Sequence, residues 1–119
     1  MNEAAPRILV IEDEPDVLDS VRAFLSRRGC LVFVSPSGND GLALARMLKP
    51  DIIILDFRVE GLHGREVLAA LYAEHHPAKV IVVTGEVLKE EEVRELLSAG
   101  ASAFFKKPVY VLARLRAQR

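Results

Sequence analysis

The sequence predicts an α/β domain, a parallel five-stranded sheet with helices on both faces. Three observations predict it. Ile52-Ile53-Ile54-Leu55 is an unbroken aliphatic run, which suits a strand buried on both sides. Short β-type runs alternate with segments of helical apolar spacing five times along the chain. The connections between those runs leave no room for antiparallel hairpins, so each strand returns through a helix and runs parallel to its neighbours. The chain has 119 residues, which fits one domain. A domain of that size buries roughly two-thirds of its unfolded surface, enough for a real core.

The elements follow in order. Met1 to Pro6 is polar or small and is expected to be flexible. Arg7 to Ile11 reads as the first strand. Pro15 suits the first turn of a helix, where its missing N–H costs nothing. Val17, Leu18, Val21, Phe24 and Leu25 recur at helical spacing, and Gly29 stops that helix. Cys30 to Val34 is the second strand. Ser35 to Asn39 is a loop with residues suited to capping the next helix. Leu42, Leu44, Ala45 and Leu48 carry that helix, which Pro50 ends. Asp51 to Asp56 is the third strand. Gly61 and Gly64 punctuate a loop, and Arg65 to Glu74 is a helix with Val67, Leu68 and Leu71 facing in. Lys79 to Val83 is the fourth strand and ends in Thr84-Gly85. Lys89 to Glu95 leads into a helix carried by Val93, Leu96 and Leu97 and ended by Gly100. Ala103 to Phe105 is a short fifth strand. Val109 to Arg119 is expected as a last helix, with 113–119 a candidate start of a linker.

Composition excludes several classes. Sixteen basic and 17 acidic residues leave a net charge of −1, so no global field points to nucleic acid or membrane. The single cysteine, Cys30, rules out an internal disulfide and a multi-Cys zinc site, and reads as a small buried hydrophobe. No apolar run approaches the ~20 residues of a membrane span. The N-terminus lacks a basic region followed by a long apolar stretch. The expectation is a cytoplasmic protein that binds neither membrane nor nucleic acid directly.

In a parallel sheet the carboxyl ends of the strands share one edge, which is where ligands bind. The residues just past the strands are Glu12 and Asp13, Asp56, Thr84, and Lys106 or Lys107. Carboxylates brought close together repel and must share a proton or a cation. Hard oxygen ligands without nearby His or Cys favour Mg2+ over zinc. A hydroxyl and an ammonium opposite the metal suit phosphoryl oxygens, with one carboxylate free to act as nucleophile.

Glu12-Asp13, Asp56, Thr84 and Lys107-Pro108, in that order and spacing, resemble the receiver domain of two-component response regulators. The likeness spans roughly Arg7 to Ala117. It implies a (βα)5 flavodoxin-like doubly wound fold over residues 1–119. It also implies phosphoryl transfer from a sensor histidine kinase or phosphotransfer protein onto Asp56 with Mg2+. By the resemblance, Asp13 and Asp56 are direct metal ligands, Glu12 acts through water, and the Arg58 carbonyl is a further ligand. Thr84 matches the hydroxyl that moves toward the aspartyl phosphate. Lys107 matches the lysine that pairs with the phosphoryl oxygens, and its bond to Pro108 is a candidate cis peptide. Phe104 matches the aromatic that changes rotamer on activation. Many relatives carry Tyr there, so a switch through Phe104 works by packing. The face formed by the fourth helix, fifth strand and fifth helix is then the candidate signalling and homodimer surface. The resemblance implies no enzyme beyond self-catalysed phosphoryl acceptance and slow autodephosphorylation.

The loop Val59-Glu60-Gly61-Leu62-His63-Gly64 departs from the family pattern, with Glu60 in place of a proline and His63 in place of an acid. Arg58 and Glu86 are placed to pair across the mouth of the pocket and limit water. His63, His75 and His76 read as surface loop residues, and Glu90-Glu91-Glu92 as a solvated helix face. The alternative function is an unphosphorylated docking module of the same fold. Its signature would be loss of Asp56, Lys107 or the acidic pair, and all are present. A haloacid-dehalogenase-like phosphatase needs a second Asp two residues after the first, where this chain has Arg58. No P-loop follows any strand.

Overall fold

Runs of β-branched and aliphatic residues form the strands here, and the central runs find helices to pack against on both sides. The computed structural model describes residues 5–58, 63–85 and 87–106. Within them lie β1 (Arg7–Ile11), α1 (Pro15–Arg27), β2 (Leu31–Ser35), α2 (Gly38–Leu48), β3 (Ile52–Asp56), α3 (Gly64–Ala73), β4 (Lys79–Thr84), α4 (Glu90–Ser98) and β5 (Ala101–Lys106). The expected last helix, Lys107-Pro108, Glu86 and the loop 59–62 lie outside the described residues.

All five strands are parallel, in the order β2-β1-β3-β4-β5. The order reverses direction between β1 and β3, the switch point at which open parallel sheets leave a crevice beyond the strand ends. Leu9, Ile11, Ile53, Leu55 and Val82 point to one face and pack with Leu42, Val67, Leu68, Leu71 and Leu96 from α2, α3 and α4. Ile8 and Val10 point to the other face and meet Val21 and Leu25 of α1. This two-sided burial explains why β3 reads as a continuous aliphatic run instead of an alternating one.

Three strand boundaries differ from expectation. Strand β2 starts at Leu31 and extends to Ser35, whose Oγ donates to the Ser37 carbonyl at 3.0 Å and so closes the turn into α2. Asp51 falls outside β3. Its carboxylate accepts from the Arg7 N–H at 2.8 Å and its own N–H donates to the Arg7 carbonyl at 2.7 Å. Strand β5 begins at Ala101, two residues early, because it pairs with β4 from Val80 onward across a register shift. Ser37 caps α2 as expected, accepting from the Asp40 N–H at 3.2 Å.

His76 is a correction to the surface reading. It is half-buried, its Nδ1 accepts from the Ala78 N–H at 3.1 Å, and its Nε2 lies 2.8 Å from the Ala45 carbonyl. One imidazole therefore ties the α3–β4 turn to α2. Beside it, Arg46 Nε donates to Glu74 at 3.0 and 3.2 Å, joining α2 to α3.

Ile53 is fully buried in a strand flanked on both sides. Ile53→Ala is expected to cost about 3 kcal/mol of unfolding free energy, read from urea denaturation. The hydrogen bonds from Arg46 hold the Glu74 carboxyl below the usual carboxylate range, against the opposing effect of desolvation. The contribution of that pair is thus present above the ordinary glutamate range and lost as pH falls through the lowered value. The melting-temperature difference between wild type and Glu74→Gln should be small near neutral pH, close in acid, and shrink in salt.

Candidate functional site

The ends of β1 and β3 bring the acids together. Pairing of β1 with β2 continues one residue past the strand, since the Glu12 N–H donates to the Ser35 carbonyl at 3.0 Å. The Glu12 carboxylate then folds back to accept from the Glu14 N–H at 3.0 Å, and Pro15 opens α1. Glu12 is 1% exposed, while Asp13 is half-buried at the rim. Strand β3 ends at Asp56, also 1% exposed, whose Oδ1 accepts from the Arg58 N–H at 3.1 Å. Oxygens of Glu12, Asp13 and Asp56 all lie within 4.8 Å of one another.

Three carboxylates at that range repel strongly when ionised, and a shared cation relieves the repulsion. The donor set is all hard oxygen, which fits Mg2+. Two of the acids are almost fully buried, so the site is a pocket of the fold and not a chance cluster of solvated side chains.

The neighbouring strand ends complete the edge. The Phe57 N–H donates to the Val83 carbonyl at 2.8 Å, locking the end of β3 to β4. Thr84, the next residue along β4, is fully buried. It lies in register with Lys106, and Val82 lies in register with Phe104. Side chains alternate along a strand, so Phe104 shares a face with Val82 and Thr84. Phe104 is half-buried against the core on the α2–α4 side. The structure therefore brings together Glu12, Asp13, Asp56 and the Arg58 backbone, with Thr84 on the adjacent strand end and Phe104 behind it. Lys107 lies outside the described residues, as does Glu86, the expected partner of Arg58.

Sequence reasoning missed what fixes the far side of the loop. His63 is not a free surface residue. Its Nδ1 accepts from the Arg65 N–H at 3.2 Å, and its own N–H donates to Glu66 Oε1 at 3.1 Å. This is an N-cap in which imidazole stands where an oxygen acceptor is usual. Glu66, three residues after the cap, was the available signal. The His63 ring meets the Phe57 ring edge-on at 5.3 Å, and the Arg65 guanidinium lies 5.0 Å from the Phe57 ring centre. Gly64 sits so close to the strand end that a Cβ would lie 2.7 Å from Phe57 Cα and 2.8 Å from the Asp56 carbonyl oxygen. Only glycine lets α3 start this near the phosphoacceptor candidate.

Residues 8–118 match the response regulator receiver domain family. The chain belongs to this family. Among its relatives, protein PilH of Pseudomonas aeruginosa is 35% identical, with 87% of this chain and 86% of PilH covered. The transcriptional regulatory protein PrrA of Mycobacterium leprae is 35% identical over 97% of this chain but only 48% of its own length. The chain thus spans most of PilH and about half of relatives such as PrrA. Among solved structures, a CheY-like response regulator receiver domain from Methanospirillum hungatei is similar, with a TM-score of 0.82 and 28% identity. That match covers 96% of this chain and 93% of the other. Receiver domains of response regulators act as signalling modules, and the family typically uses Mg2+. Among the described residues, no helix is long and apolar enough to cross a membrane.

Gly64→Ala forces backbone against backbone, so it should cost about 2–3 kcal/mol of stability, read by thermal or urea unfolding. Gly85→Ala, with open space around it, serves as the control and should cost far less.

Proposed function

We propose that this domain accepts a phosphoryl group from the phosphohistidine of a sensor histidine kinase or phosphotransfer protein onto Asp56. The observation that carries the proposal is the clustering of buried Asp56 and Glu12 with Asp13 at the carboxyl edge of the sheet. A carboxylate oxygen of Asp56 bonds to phosphorus while the P–N bond breaks and its electron pair returns to the donor imidazole. Asp13, Asp56 and the Arg58 carbonyl would hold Mg2+, with Glu12 acting through water. When bound, the ion neutralises charge on the transferring phosphoryl oxygens. Lys107 is proposed to pair with another of those oxygens.

The new acyl phosphate adds about −1.5 to −2 charge and fresh acceptors at the strand end. Thr84 donates its hydroxyl to one of them and shifts, and Phe104 fills the space behind it. Because Phe104 has no hydroxyl, this change is a repacking between two arrangements whose balance the phosphate shifts. The altered face includes α4 and β5; Leu97 on α4 and Val87 in the segment before it are exposed, and Glu90-Glu91-Glu92 form the first turn of α4. That face is the proposed contact for a downstream partner or a second copy, in the cytoplasm and without direct contact to nucleic acid or membrane. The domain is not proposed to turn over substrates; its chemistry is self-phosphorylation and slow autodephosphorylation.

Incubation with acetyl phosphate and Mg2+ should add one phosphoryl mass to wild type and none to Asp56→Asn. No gain in wild type favours the docking-module alternative, and equal gain in both removes Asp56 from its role. Arg58 is exposed beside Asp56. Arg58→Ala should shorten the half-life of the phosphorylated form, if its guanidinium with Glu86 limits water; equal half-lives would defeat that pairing.

A further inference from the structure

The backbone that leaves Asp56 is fixed at one point by an imidazole. His63 caps α3 through Nδ1, which must be unprotonated to accept from the Arg65 N–H at 3.2 Å. The same ring packs edge-on against Phe57, the residue that follows Asp56. Phe57 in turn bonds to the Val83 carbonyl one residue before Thr84, and Gly64 rests on the backbone of Asp56 and Phe57. His63, Phe57 and Gly64 thus form one packed unit between α3 and the ends of β3 and β4.

A second proton on His63 changes the unit's chemistry. Nδ1 becomes a donor facing the Arg65 N–H, so the cap bond is lost. A positive ring would also stand at the N-terminus of α3, whose dipole repels cations. Among the described residues, the charged groups at the cap are Arg65 and Glu66 on the first turn of α3. Phe57, just past the end of β3, presents its apolar ring to it. Glu66 is held by the His63 N–H, and Arg65 lies against Phe57. Histidine is the side chain that ordinarily changes charge between pH 5 and 8.

Resting on the phosphoryl-acceptor reading above, we propose that His63 is a positioning residue for Asp56. Its neutral imidazole holds the strand-end backbone in the accepting geometry, and protonation releases it. This makes phosphoryl acceptance fall in mild acid, in a way an amide or acid cap would not reproduce.

The test compares initial phosphorylation rates by acetyl phosphate and Mg2+ for wild type, His63→Ala and His63→Asn from pH 8 to pH 5.5. Asparagine caps a helix without titrating in this range. At pH 8, His63→Ala should be slower than wild type and His63→Asn should recover most of the loss. From pH 8 to 5.5 the wild-type rate divided by the His63→Asn rate should fall, by at most about fivefold, the effect of losing one cap. The ratio cancels the pH dependence that acetyl phosphate and the carboxylates share between the two proteins. A flat ratio overturns the proposal, as does an Ala variant that is folded and as fast as wild type. Should wild type gain no phosphoryl mass on Asp56, the functional reading fails by itself. The cap is then judged in the same proteins by amide hydrogen exchange at Arg65. Protection equal in wild type and His63→Asn at both pH 8 and pH 5.5 overturns the proposal; lower wild-type protection only at pH 5.5 supports it.

Discussion

Repulsion among three carboxylates at one sheet edge is the constraint on which the rest depends. Glu12 and Asp56 are carried there by β1 and β3, adjacent parallel strands with no choice about which end faces the crevice. Their burial is costly for ions unless partners or a cation answer it. The surrounding structure supplies local hydrogen bonds first. The Glu14 N–H points at Glu12 and the Arg58 N–H at Asp56. These bonds aim the carboxylates, and the donor set they create suits a hard divalent ion. The chain belongs to a family whose members typically use Mg2+.

The two faces of the sheet divide the work. One side, packed by α1, holds β1 and β2 in place and so fixes the acidic turn. The other side, packed by α2, α3 and α4, contains Phe104 and extends to Thr84. In the proposed switch, a change at Asp56 reaches the α4 side through β4, because Phe57 bonds to Val83 immediately before Thr84. The proposed path from site to surface is two strand ends and one packed aromatic, short enough for a small displacement to repack the face.

Much of this was legible in the sequence. The aliphatic runs gave the strands, because burial on both faces leaves little freedom in composition. The acids and the threonine stood out because each follows its own run. Less legible were features decided by partners far along the chain. Ala101-Ser102 has weak intrinsic strand preference and becomes β5 only by pairing with β4. Asp51 leaves β3 because Arg7, 44 residues away, captures its carboxylate. His63 is a different case: its cap partners Arg65 and Glu66 are local, but imidazole is a rare cap, so it was read as a loop residue. His76 was misread because the Ala45 carbonyl it meets lies on another helix, 31 residues away.

The central claim is that the strand-end acids form one cation site around Asp56. Calorimetric titration with Mg2+ at neutral pH tests it most directly, without a phosphodonor or partner. The account predicts one ion bound per chain, with binding lost in both Asp13→Asn and Asp56→Asn while each variant stays folded. Undiminished Mg2+ binding in either folded variant would contradict it.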